Sequence, residues 1–152
     1  MTPFFQEPSD WNRLIQEARR WIGTPFLHHA ALRKRGVDCV NLWAEIYKAV
    51  GVSKSIILPD YSMGAGNALE DSQLESFITA LGWMQEVSIE DPLPGDILTF
   101  RFGRVAHHVG GRVWGRKFIH SIKGHGVIES SLEELRFGNR LQRAFRAMKV
   151  DA

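Results

Sequence analysis

The chain has 152 residues, 44% of them apolar, and a formal net charge of +2 from 19 basic and 17 acidic side chains. That length suits one domain with a full hydrophobic core, and a single cysteine excludes an intramolecular disulfide. No run reaches the roughly 20 apolar residues of a membrane span, MTPFFQEPSDWNRL lacks the pattern of a signal peptide, and the basic clusters Arg33-Lys34-Arg35 and Arg140/Arg143/Arg146 accompany no nucleic-acid-binding motif.

Ser9 reads as the N-cap of a first helix with the apolar stripe Trp11, Leu14, Ile15, Ala18, Trp21 and Ile22. Gly23-Thr24-Pro25 ends it, because proline disfavours helical dihedrals in the residue before it. A polar loop carrying His28 and His29 then runs to Val37. Asp38 reads as the N-cap of a second helix, marked by Val40, Trp43, Ile46, Tyr47 and Val50 and ending at Gly51. An irregular stretch from Pro59 to Asn67 precedes a third helix over about 70–81, with Gly82 as its cap.

From Trp83 onward the signals are those of strands. DPLPGD is a turn cluster, and ILTFRF, HHVGGRV, KFIHSI and GVIES follow as short strands separated by glycine-containing turns. RLQRAFRAM reads equally as a strand or a short helix. Helices first and strands second imply a single α+β domain, with the N-terminal helices packed on a C-terminal antiparallel sheet. The five tryptophans read as packing, His125 as a turn residue, and Asp96, after Pro-Gly, as a turn stabiliser.

The chemistry centres on Cys39. A thiol at a helix N-terminus faces unsatisfied N–H groups and the positive end of the helix dipole. That setting favours the thiolate, taking a cysteine pKa from about 8.5 toward roughly 3.5–7.5 when a histidinium helps. The same N–H groups can stabilise an oxyanion beside the sulfur. The competing role is inert packing, since free cysteines are among the most buried residues. A base is available: His108 opens the strand HVGG, and His120 lies in the next strand, FIHSI. A turn near 114–116 would set the two histidines on adjacent strands and one face, so that His108 takes the thiol proton while His120 orients it. Neither CxxC nor HExxH occurs, so no metal site is expected.

GTPF at 23–26, Asp38-Cys39, LPGD at 93–96, HVG at 108–110 and FIHS at 118–121 stand in one order. That series resembles the NlpC/P60 cysteine peptidases, papain-like hydrolases of bacterial cell-wall peptides, over about residues 10–147. The histidine-rich loop, the GHGVIES segment and the arginine-rich end are similar to single-domain versions in phage tails and gene transfer agents. The resemblance implies Cys39 as nucleophile, His108 as base and His120 as orienting residue. It also implies hydrolysis of peptidoglycan stem peptides through a thioester, commonly at the D-γ-glutamyl–diaminopimelate bond, without a cofactor. Location would be cytoplasmic or within a virion or tail, whose proteins would be the partners. Similar scaffolds also serve acyl transfer and thioester hydrolysis, and others are inactive tail components that bind wall fragments. Asp38 matches a position where substrate contact and helix capping are both open. Phe26 is expected among the substrate contacts, and His28 and His29, in the loop before Cys39, read equally as cleft-lining residues or as an exposed loop pair. Three residues depart from the pattern: Phe26 replaces a tyrosine, Asn41 a small residue whose loss crowds the first helical turn, and Gly111 a branched aliphatic whose loss weakens its strand.

Overall fold

A computed structural model describes residues 1–58, 71–102 and 105–149 of the chain. Helix α1 spans Pro8–Arg19. Its N-cap is Glu7 and not Ser9, because Pro8 occupies the first turn with its φ already set for a helix. The Asp10 carboxylate accepts the N–H groups of Gln6 (2.9 Å) and Glu7 (3.1 Å), closing the entry to the helix. Leu14 and Ala18 are buried, but Ile22 falls in the turn beyond the helix and is exposed, off the expected stripe. The loop that follows contains a small hairpin, β2 (Ala31–Leu32) with β3 (Gly36–Val37), which its polar sequence did not announce.

Helix α2 spans Cys39–Ala49 with Asp38 as N-cap, and Gly51 (φ 87°) follows it in the left-handed conformation common past helix ends. Helix α3 spans Asp71–Ala80. The expected irregular stretch from Pro59 to Asn67, and Glu70 at the expected start of α3, lie outside the described residues.

The strands are β1 (Thr2–Pro3), β4 (Met84–Val87), β5 (Ile97–Phe102), β6 (Val105–Arg112), β7 (Lys117–Ile122), β8 (Gly126–Ser131) and β9 (Leu141–Lys149), with a short helix α4 (Leu135–Gly138) before the last. They pair in the order β1-β9-β5-β6-β7-β8, and β4 also pairs with β9. The β5-β8 run is the expected antiparallel meander. RLQRAFRAM is resolved as a strand, and it returns to lie beside β5 instead of extending the meander at β8.

Alternation along the strands sends neighbouring residues to opposite faces. Ile97, Val109, Ile119 and Phe145 join Leu14, Leu42, Trp43 and Ile46 in the core beneath the helices. Leu98, Phe100 and Phe118 pack on the other face with Leu132 and Phe137. Trp21 and Trp43 are buried as expected, whereas Trp114 lies in the β6–β7 turn and is 52% exposed. Gly111 has a use that strand propensity alone does not reveal. A Cβ there would collide with the Trp43 indole, whose N–H donates to the Ile119 carbonyl at 2.8 Å. The bare backbone at 111 lets α2 seat against the sheet. Among the described residues, no helix is long and apolar enough to cross a membrane.

Candidate active site

Cys39 is the first residue of α2, and the backbone that aims it is fixed from both sides. Asp38 is completely buried. Its carboxylate accepts the Asn41 N–H at 2.8 Å, the Asn41 side-chain amide at 3.2 Å to each oxygen, and the His29 N–H at 2.7 Å. Asp38 is therefore a helix cap. Asn41 tightens that cap and does not crowd the turn. The His29 bond also holds a non-glycine residue at φ 64°, a conformation that persists only where surrounding contacts impose it. His28 and His29 are both exposed and stack with ring centroids 3.7 Å apart. Phe26, half-buried, bridges to Val37 just before the cap.

The sheet opens where the helix arrives. Among the described residues, β6 pairs with β7 only at Gly111↔Ile119 and Arg112↔Phe118, so the ladder stops short of His108. The Val109 N–H turns toward the Cys39 sulfur, which the N–H groups of Cys39 and Val40 also face. On the other side of the gap, the Ser121 hydroxyl donates to the Val37 carbonyl at 2.8 Å, tying β7 to the peptide before the cap.

The sulfur is not the exposed, acidified thiol expected from a helix N-terminus. Cys39 has no solvent exposure, and burial, with the Asp38 carboxylate adding to it, pushes the thiol up to about 12. The three N–H groups pull the other way but are outweighed. The environment of Cys39 thus favours the neutral thiol.

His108 and His120 lie on the same face, His108 Nε2 and His120 Nδ1 being 2.7 Å apart. His108 packs beside Phe100 and Phe102, and His120 sits between Phe118 (4.5 Å) and Phe137 (5.0 Å, edge-on). Sequence reasoning missed Ser130, whose Oγ lies 2.8 Å from His120 Nε2. It stands opposite Phe118 across β7–β8, a register no linear motif marks. Asp96 holds the turn as expected. It accepts the Leu93 N–H at 2.8 Å and pairs with Arg146 through two bonds at 2.8 and 2.9 Å. Among the described residues, no group of three or more His, Cys, Asp or Glu side chains could hold a metal ion.

Burial, then the nearby charges of His108, Arg136 and His125, bring His120 down to about 2. The unfolded chain binds this proton below about pH 6.5, whereas the fold refuses it. The resulting stability is present above 6.5 and is lost as pH falls toward 2. This residue is expected to make the fold progressively less stable as pH falls below 6.5. NMR titration checks it directly: the His120 ring should stay neutral down to pH 4, and a midpoint near 6.5 would contradict its burial.

Comparison with known proteins gives a consistent family. The NlpC/P60 family matches residues 23–146. A lipoprotein-like NLP/P60 family protein from Staphylococcus aureus superposes with a TM-score of 0.69 at 21% identity, covering 99% of this chain and 45% of that one. This chain thus spans less than half of that protein's length. The NlpC/p60 domain of the peptidoglycan hydrolase SagA gives 0.61 at 17% identity, covering 91% and 98% of the two chains. RipD from Mycobacterium tuberculosis, described as a non-catalytic NlpC/p60 domain protein adapted to peptidoglycan binding, gives 0.60 at 14% identity, covering 95% and 100%. At these identities the likenesses show the fold, helices first and antiparallel sheet second. No curated protein is a significant match.

Proposed function

The chain belongs to the NlpC/P60 family, and from that premise we propose that it is a cysteine peptidase cleaving amide bonds in peptidoglycan stem peptides. Cys39 is the nucleophile, His108 the general base and His120 the residue that orients it. The observation that carries this reading is the hydrogen-bonded His108–His120 pair, one peptide away from the N–H that faces the Cys39 sulfur.

With His108 Nε2 engaged by His120, Nδ1 is the nitrogen assigned to the thiol proton. As substrate enters, that proton passes to His108 and the sulfur attacks the carbonyl carbon. The helix N-terminus and the Val109 N–H stabilise the negative charge that develops. The C–N bond then breaks, His108 returns the proton to the leaving amine, and a thioester remains on Cys39. Water, deprotonated by His108, hydrolyses the thioester and restores the thiol. Phe26, His28 and His29, beside the mouth of α2, are proposed as substrate contacts, while Asp38 stays withdrawn as the cap. By resemblance, the proposed bond is D-γ-glutamyl–diaminopimelate, and the proposed route to the wall is a virion or tail-like particle.

The complete burial of Cys39 favours a second reading, a wall-binding domain without turnover. Mass spectrometry of purified wall fragments incubated with the protein separates the two. Hydrolysis products carrying one added water, with a free amine on one side of the cut, are expected, and their masses identify the bond. Fragments that stay intact but co-elute with the folded protein would establish the binding domain. Transfer of an acyl group to an added amine or thiol, with no hydrolysis, would replace the peptidase by an acyltransferase.

A further inference from the structure

We infer that Ser130 is a positioning residue for the proposed reaction: its hydroxyl supplies the acceptor that the His120 Nε2–H requires and so permits the tautomer that leaves His108 a base at Nδ1. This inference rests on the catalytic reading of Cys39 and His108.

A neutral imidazole carries one N–H and one acceptor nitrogen. The two contacts, His108 Nε2 to His120 Nδ1 at 2.7 Å and His120 Nε2 to Ser130 Oγ at 2.8 Å, therefore allow two proton arrangements. In the first, His120 donates from Nε2 to Ser130 and accepts at Nδ1 from His108 Nε2–H, so that His108 Nδ1 holds a lone pair. In the second, the Ser130 hydroxyl donates to His120 Nε2 and His120 donates from Nδ1 to His108 Nε2. His108 must then carry its proton on Nδ1 and cannot take one from a thiol. Only the first arrangement gives a base.

Its condition is an acceptor for the His120 Nε2–H. His120 is fully buried and Ser130 nearly so. The rings packed on His120, those of Phe118 and Phe137, accept no ordinary hydrogen bond. Among the described residues, Ser130 Oγ is the partner at this nitrogen. Without the hydroxyl, the first arrangement would bury an unpaired N–H, while the second would bury only an unpaired lone pair. An unsatisfied donor in an apolar site is expensive, so the pair would shift to the arrangement without a base.

The test is made on full-length protein labelled with 15N-histidine at pH 7. In wild type, long-range 1H–15N correlation is expected to show His120 as the Nε2–H tautomer. In Ser130→Ala it should show Nδ1–H, with kcat on wall fragments lowered about tenfold or more and KM within twofold. Ser130→Thr should restore both readouts, and Ser130→Val, its isostere without the hydroxyl, should not. The Thr/Val pair decides if the alanine variant fails to fold. Wild-type His120 in the Nδ1–H form, or an unchanged tautomer and kcat in Ser130→Ala, would overturn the inference. A wild-type protein that cleaves no fragments removes the peptidase reading instead, and the tautomer data still report whether Ser130 sets the His120 proton.

Discussion

Cys39→Ala is expected to abolish cleavage of wall fragments, and His108→Ala to slow it by about 10²–10⁴-fold, with both variants folded. The first loss is total because no other cysteine exists to replace the nucleophile. The second is large because the thiol cannot ionise alone. Burial pushes it up to about 12, which disfavours the thiolate at pH 7. On the proposed mechanism the proton is collected by a neighbouring base at the moment of attack, and His108, next to the peptide that faces the sulfur, is the base proposed for it. The same reasoning governs alkylation. Iodoacetamide should modify the resting protein slowly at neutral pH and faster only as pH rises well above 9. Both variants remove side-chain atoms without adding any, so circular dichroism should show a wild-type fold. Cleavage by Cys39→Ala at the wild-type rate would end the mechanism. Rapid alkylation at pH 6 would instead show that the thiol is activated at rest.

Gly111→Val is expected to lower the melting temperature by about 6–12 °C, the consequence of roughly 3 kcal/mol of overpacking in a domain of this size. The added side chain would enter the space of the Trp43 indole. That ring cannot easily move, because its N–H is bonded to the Ile119 carbonyl and it packs T-shaped with Tyr47 at 6.1 Å. Trp43→Phe, with a smaller ring system, should make the valine less costly, so the two changes together should destabilise less than the sum of each alone. Additive effects, or a Gly111→Val protein that melts with wild type, would show that α2 has slack against the sheet. Because α2 carries Cys39 at its tip, the valine is also expected to reduce turnover even where the protein remains folded.

The sequence by itself determined the order of elements and the identity of the chemical groups. Asp38 as a cap, Gly51 after the second helix and the strands from ILTFRF to GVIES were legible because capping, turn formation and apolar periodicity depend on residues a few positions apart. The succession of Asp38-Cys39, HVG and FIHS likewise pointed to the family without any coordinates. Local rules left RLQRAFRAM open because strand and helix patterns overlap over so short a run. They misplaced the first N-cap, where Pro8 and the Asp10 carboxylate outweighed Ser9. The tertiary structure alone decided the rest. The apposition of Trp43 and Gly111, the seat of β9 beside β5, and Ser130 next to His120 all join residues far apart in the chain. Burial works against the thiolate that a helix N-terminus favours at Cys39, since the helix end lowers a thiol pKa only while the surroundings can still support a charge. Local sequence sets backbone preference, whereas desolvation and register are properties of whatever the folded chain brings alongside.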